Sequence, residues 1–382
     1  MKTKILVVIL LHGMILGSCT SIRMLSNQKI ISKTNCSELS FEGKIPLIPI
    51  TIEGLNKKFI FDTGATISMV SDSTMIKGFS DKEFGTFGAA KGADEKKIRN
   101  KMLPVSINSN LFESKNKVLT FINLPASKCE KVTKKQAGII GLDLFFDKDL
   151  TLQMDFSNSK ICNISEQQLQ QLLLDKDKQY KLIKSKCKTN QIFIYLTIEG
   201  KEHKFLVDTG YTGNILFPYN DKLKFKNSDK IELEGSLYKS ISSFSNGTEV
   251  FYQNMPIKFA GENVESKITV SSSIKAQNIG IEFIKGFDWL IDYNNNKIYV
   301  KRNQNKIENT FNRKVTYYSK AIHEKLKIVV KEKSQTQYHL GDEVISVNGQ
   351  KVTGENNCEL QDLLNKTADW NSLQLQVVSG SP

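Results

Sequence analysis

Two Asp-Thr-Gly triplets, Asp62-Thr63-Gly64 and Asp208-Thr209-Gly210, each close a short apolar run. A single triplet of this kind is ordinary turn chemistry. Two of them in matching surroundings are a different matter. Residues 51–66 read TIEGLNKKFIFDTGAT and residues 197–212 read TIEGKEHKFLVDTGYT, an ungapped offset of 146 with ten of sixteen positions identical. A duplicated β unit folds around a local twofold axis, and equivalent residues near that axis meet. Two carboxyl groups meeting there cannot both ionise easily, so they share a proton and their pKa values separate. The ionised carboxylate can deprotonate a water, and the protonated one can hydrogen-bond a substrate carbonyl oxygen. That is peptide hydrolysis without a metal or a covalent intermediate. The neighbouring residues suit this role. Thr63 and Thr209 can hydrogen-bond across the axis. Gly64 and Gly210 lack a Cβ, so each loop can approach its mate. Phe61 and Val207 set the two Asp in apolar surroundings.

The elements that must position these residues are also repeated. Ile50-Thr51-Ile52 alternates as a strand, Glu53-Gly54 starts a turn, and Phe59-Ile60-Phe61 is a short strand running into Asp62. Leu196-Thr197-Ile198, Glu199-Gly200 and Phe205-Leu206-Val207 do the same before Asp208. A second repeated element lies downstream, GIIGLDLFFDKDLTLQMDFSNSKI at 138–161 and IGIEFIKGFDWLIDYNNNKIYV at 279–300. Gly141 corresponds to Gly280 and Asp155 to Asp292. Each copy reads as an apolar strand, a Gly, a short helical turn and a hairpin with a polar tip. Glu166 to Lys184, with Leu169, Leu172 and Leu173, reads as a helix-prone connector. Phe84 to Met102, with Gly85, Gly88 and Gly92, lies where a hairpin over the cleft would fall, and reads equally as a surface loop.

The tail breaks the repeat. Leu326 to Val330 reads as a strand, LGDEVISVNGQKVT (340–353) as a hairpin turning at Asn348-Gly349, and Cys358, Leu360, Leu363 and Leu364 as the apolar side of a helix. A last strand is expected at Leu373 to Val377.

The chain has 382 residues and a formal net charge of +13, which predicts two or three domains. Nearly all of the basic residues are Lys; Arg occurs only at 23, 99, 302 and 313. Bidentate readout of phosphates and guanine edges favours Arg, so the charge reads as a solvated surface, with no nucleic-acid partner. The four His and six Cys are widely spaced, without CxxC or HExxH, and no metal or other cofactor is expected. There is no GxSxG elbow and no Walker-type loop. At the N-terminus, Lys2 and Lys4 precede the apolar run from Ile5, and Leu16-Gly17-Ser18-Cys19 follows. The run is too short to span a bilayer and reads as a signal peptide, residues 1–18. Residues 19–39 read as a polar tether. An odd number of Cys remains after Cys19, and no specific bridge is predicted.

These motifs carry a resemblance. Hydrophobic-Asp-Thr-Gly-Ala-Thr followed by Ile139-Ile140-Gly141 looks like one lobe of a retropepsin-type aspartic protease, and Asp208-Thr209-Gly210 with Ile279-Gly280 looks like a second. Together they resemble a single-chain, pepsin-like pair. Gly341-Asp342-Glu343-Val344-Ile345-Ser346-Val347-Asn348-Gly349 resembles the central hairpin of PDZ domains, although no Gly-rich carboxylate-binding loop precedes Leu326. Leu16 to Cys19 resembles a lipobox, in which the Cys is lipidated. The chain as a whole looks like a bacterial, Bacteroidetes-type lipoprotein of the aspartyl protease–PDZ kind. The resemblance implies a mainly β fold with two closed lobes, 40–165 and 187–303, joined by a connector at 166–186 and followed by an α+β PDZ-like unit at 311–382. It implies an endopeptidase acting through Asp62 and Asp208, with Thr63, Gly64, Thr209 and Gly210 supporting the two loops. The partners expected are a peptide or protein substrate and a membrane, reached through a lipid on Cys19. The chain is expected to work as a monomer with pseudo-symmetric lobes, in the cell envelope and facing the periplasm. The competing expectation is an inactive peptide-binding scaffold that keeps the protease fold. Two departures bear on that choice. Tyr211 stands where Ala, Ser or Thr is usual and would crowd the catalytic water. Polar Asn278 precedes Ile279-Gly280, so the second copy is the less orthodox one.

Overall fold

A computed structural model of the chain describes residues 27–76, 79, 89–92, 96–99, 101–122, 129, 137–146, 149–175, 177–220, 223, 225–226, 229–239, 244–311 and 316–380. The signal peptide and Cys19 lie outside the described residues, as do Gly85 and Gly88. The fold is mainly β.

The first Asp-Thr-Gly loop grows from a hairpin. Ile45–Ile52 and Leu55–Phe61 pair antiparallel and turn at Glu53-Gly54, where both residues have positive φ. A turn of that hand matches the twist of the flanking strands, and Gly is the residue that adopts it without strain. Leu55–Phe61 then lies parallel to Gly138–Ile140, which is antiparallel to Met69–Val70, which is parallel to the end of Phe112–Phe121. The second copy follows the same order with the same senses. Gln191–Ile198 and Lys201–Val207 form a hairpin through Glu199-Gly200, again with positive φ at both residues. Lys201–Val207 is parallel to Asn278–Ile279, which is antiparallel to Ile215–Pro218, which is parallel to Glu262–Ser271. Apolar residues at alternate positions drive both arrangements. Ile48, Ile50, Ile52, Phe59 and Phe61 in one copy, and Ile194, Leu196, Ile198, Phe205 and Val207 in the other, are buried in one continuous core.

A separate sheet is shared by the two copies. Leu150–Asp155 pairs antiparallel with Phe287–Asp292 at its centre. The register places Gln153 opposite Leu290, Leu152 opposite Ile291 and Met154 opposite Trp289. Since Asp155 corresponds to Asp292 in the repeat, Gln153 faces its own counterpart and the flanking pairs exchange roles.

Two stretches differ from expectation. The tether is not free of structure to residue 39. Ile31–Ser32 pairs with Phe112 and Glu113, Cys36–Glu38 pairs with Lys160–Cys162, and Cys36 is disulfide-bonded to Cys162. These segments are too short and too polar to show a strand period, and the pairing comes from the neighbouring edges. The connector contains the helix Glu166–Leu174, opened by a capping box of Ser165 and Gln168. Its end, however, is β structure: Lys181–Ile183 joins the shared sheet and Ser185–Lys188 joins the second copy.

The C-terminal unit has its own small core of Tyr317, Leu326, Ile328, Val344, Val347, Leu360, Leu364 and Trp370. Asn348 and Gly349 both take positive φ, as a tight hairpin requires. The helix runs Asn357–Lys366 and buries Leu360 and Leu364, while Leu363 is exposed. The last strand is Leu375–Val378. A strand that the sequence reading passed over, Tyr317–Ile322, pairs with Lys325–Glu332. Its outward N–H groups at Ser319 and Ala321 donate to Asn365 Oδ1 and Gln361 Oε1 of the helix, at 2.8 and 2.7 Å. The unit touches both copies. Lys325–Glu332 pairs with Lys230–Lys239 of the second copy, supported by the Lys331–Glu234 ion pair at 3.0 Å. Cys358 on its helix is disulfide-bonded to Cys129 of the first copy. Cys187 is the free cysteine among the described residues.

Candidate active site

Both triplets leave their strands through the same backbone bonds. Asp62 N–H donates to Ile140 O at 3.0 Å and Asp208 N–H to Ile279 O at 2.9 Å. Leu142 N–H donates to Ala65 O, and Ile281 N–H to Tyr211 O. The apolar-apolar-Gly segments downstream thus hold the loops.

The loops then lock onto each other. Thr63 N–H donates to Thr209 Oγ1 at 2.9 Å, and Thr209 N–H donates to Thr63 Oγ1 at 3.1 Å. Each hydroxyl in turn donates across the junction, Thr63 to Val207 O at 2.7 Å and Thr209 to Phe61 O at 2.6 Å. Both Thr are fully buried, so these four bonds have no competition from water. A Cβ added at Gly64 would sit 2.5 Å from Asp208 Cγ, and one added at Gly210 would sit 2.5 Å from Asp62 Cγ. No other residue fits at either point.

Asp62 and Asp208 are in side-chain hydrogen-bond contact. Burial pushes both carboxyls above the usual Asp range, and the charge of Asp62 pushes Asp208 further. Backbone donors oppose this. Asp62 Oδ1 accepts from Gly64 N–H at 2.8 Å and Ala65 N–H at 3.2 Å, and Asp208 Oδ1 accepts from Tyr211 N–H at 3.0 Å. Two buried carboxyls in contact hold one proton between them over a range of pH. Such a pair can accept a proton from water and donate a hydrogen bond at once.

The two departures noted in the sequence resolve differently. Tyr211 does not stand over the carboxyls: its ring packs with Leu216 and Ile274 and lies against Gly280 and Gly213. Asn278 is 1% exposed, and its amide donates to Asp208 Oδ2 at 2.5 Å. Three further features escaped the sequence reading. Ser68 Oγ donates to Asp143 Oδ1 at 2.6 Å and accepts from Gly141 N–H, and Asp143 pairs with buried Lys117 at 2.6 Å. Glu249 is buried opposite Ser271, and burial raises its carboxyl to about 7. The bridge from Cys129 to Cys358 is the third. Only the polarity of Asn278 within an apolar repeat position was a usable signal. Of the hairpin expected near Phe84 to Met102, the described part pairs Ala89–Lys91 with Lys97–Arg99. Among the described residues no cluster of His, Cys, Asp or Glu is arranged to hold a metal ion.

No family model matches the chain. Among curated proteins, the regulatory protein RecX of Finegoldia magna is 26% identical over 112 residues, which is 28% of this chain. The chain spans about half the length of that relative, 54%.

Proposed function

We propose that the chain is an aspartic endopeptidase whose two catalytic carboxyls, Asp62 and Asp208, come from two pseudo-symmetric lobes, residues 40–165 and 187–303. The observation that carries this reading is the reciprocal bonding of Thr63 and Thr209 with the two carboxyls in contact beside it. A turn sequence with no shared task has no reason to be duplicated, buried and locked to its duplicate.

The chemistry follows from one shared proton. The ionised carboxyl takes a proton from a water molecule as the water oxygen bonds to the scissile carbonyl carbon. The protonated carboxyl gives its proton to the carbonyl oxygen, so a neutral gem-diol forms. In collapse, one hydroxyl returns its proton to a carboxylate, the C–N bond breaks, and the amine leaves with a proton from the other carboxyl. The dyad ends with one proton, as it began. Holding water and substrate against fixed groups supplies the rate. The C-terminal unit, PDZ-like in its hairpin, ties the two lobes together in this reading. Strand addition of a peptide to Tyr317–Ile322 is disfavoured, because side chains of the helix already take its outward N–H groups.

The proposed setting is the cell envelope, facing the periplasm, with the chain anchored through a lipid on Cys19. Among the described residues no helix is long and apolar enough to cross a membrane. Two disulfides fit an oxidising compartment. A Cys19→Ser chain should leave the membrane fraction.

The test of function is hydrolysis of unfolded protein substrates by the wild type, Asp62→Asn and Asp208→Asn chains. Cleavage by the wild type alone supports the reading. Cleavage that survives both substitutions contradicts it, and a folded wild type that binds peptides without cutting them supports a scaffold instead.

A further inference from the structure

The repeat makes Asn278 conspicuous. Ile139 and Ile140 face Ile60 and Phe61 in the first copy, and Asn278 and Ile279 face Leu206 and Val207 in the second. Asn278 therefore occupies the position of Ile139, which packs in an apolar cluster with Met69 and Ile122. Its strand neighbours are Leu206 and Leu216, and Asn is a poor strand former. Its carbonyl Oδ1 is buried with no hydrogen-bond partner among the described residues. A buried half-satisfied amide weakens a core. Such a residue is kept where it does something else.

What it does is visible in its one bond, to Asp208 Oδ2. Asp62 and Asp208 each accept from the backbone of their own loop. Among the described residues, Asn278 is the one side chain from outside the two triplets that donates to either carboxyl. The other ionisable groups around Asp208 are Asp62 and Tyr211, and Glu249 acts on Tyr211 in turn. None of these carries a positive charge, so the charge of Asp62 is opposed at this carboxyl by N–H donors alone: the backbone of Gly210 and Tyr211, and the Asn278 amide.

Resting on the dyad reading above, we propose that Asn278 is a positioning residue specific to one carboxyl: its amide fixes Asp208 Oδ2 and favours ionisation of Asp208 once Asp62 is ionised. A donor to a carboxylate favours the ionised form. Asp62 ionises first, so the amide stabilises the doubly ionised dyad over the singly protonated one. Loss of the amide raises the second dyad titration and leaves the first in place.

The experiment compares wild type with Asn278→Leu, which keeps the shape, and Asn278→Ile, which installs the residue of the first copy. In the pH profile of kcat/KM, the alkaline limb moves up by about one pH unit, roughly a tenfold gain on the alkaline side, and the acid limb stays. A profile that superimposes on wild type, or that moves only on its acid side, overturns the proposal. NMR separates this from failure of the protease reading, because it needs no substrate. In the labelled wild-type chain, the Asn278 side-chain amide resonances must follow the second dyad titration seen at the Asp carboxyl carbons. Resonances that stay flat through it overturn the proposal whether or not the protein cleaves peptides.

Discussion

The two Asp-Thr-Gly loops share a backbone and differ in what surrounds it. Around Asp62 the walls are small or apolar: Ala65 follows the triplet, and Ile139 packs with Met69 and Ile122. The polar network there, Ser68 with Asp143 and Lys117, is paired and bonds to Gly141 N–H. Around Asp208 the equivalent positions are Tyr211, Asn278 and Asn214. Asn278 reaches the carboxyl itself, while Asn214 Nδ2 bonds Ser266 and Glu308 O. Glu249 adds a buried carboxyl whose charge acts on Tyr211. The lesson is that duplication preserves what both loops need, the Thr exchange and the close Gly approach, and frees the surroundings to diverge. The shared geometry is what the proposed joint task rests on, and the different walls give the two carboxyls different surroundings.

If the carboxyls act as one unit, symmetry of effect should survive the asymmetry of walls. Asp62→Asn and Asp208→Asn should each lower kcat/KM by about a thousandfold or more, and the double variant should be scarcely worse than either. Initial rates on a quenched-fluorescence peptide measure this. Near-additive losses would mean that the loops act separately.

The next effect concerns the strap across the copies. Cys129→Ser frees the C-terminal unit from the first copy and should cost about 2–4 kcal/mol, as denaturant titration reads it. The pairing with Lys230–Lys239 should hold the unit to the second copy, so the loss should fall on the first. Uniform hydrogen-exchange loss in both copies would contradict that division.

Thr63→Val and Thr209→Val each remove a buried hydroxyl that accepts one bond and donates another. Each should cost about 1–3 kcal/mol, with similar values for the two. Unequal costs would show that one loop carries the lock.

The smallest effect isolates a feature of the second copy alone. Glu249 has a folded-state pKa raised by burial to about 7, so it prefers to be protonated in the folded chain. Its contribution to stability is complete below its unfolded pKa and is lost as pH rises through about 7. Glu249→Gln should flatten the fall in melting temperature across that window. The dyad carboxyls are raised as well, so some fall should remain until Asp208→Asn is added.

Much of this architecture was legible in the residues. The repeat of TIEG and DTG segments located both hairpins, both turns and the strands entering Asp62 and Asp208, because apolar alternation and Gly turns are local signals. The matching of Asp155 with Asp292 aligned the two hairpins, but that they pair in one sheet came only from the structure. The rest depends on contacts between distant segments. Cys129 and Cys358 are 229 residues apart, and no spacing rule joins them. Tyr317–Ile322 carries Ser319 and Lys320 in a short run, and its strand character comes from Lys325–Glu332 and the helix beside it. Tyr211 read as an obstruction because ring size is visible in sequence and ring direction is not. Asn278 was visible as an oddity, and its meaning appeared only when Asp208 Oδ2 was found at its amide.

The central claim, one dyad built from two loops, is tested most directly by binding of a peptide with a hydroxyl-bearing carbon in place of the scissile carbonyl. Calorimetry should find one site per chain, tightest where the dyad holds a single proton and lost in both Asp62→Asn and Asp208→Asn. Binding that persists in either variant with wild-type affinity, or a stoichiometry of two per chain, would contradict a shared site.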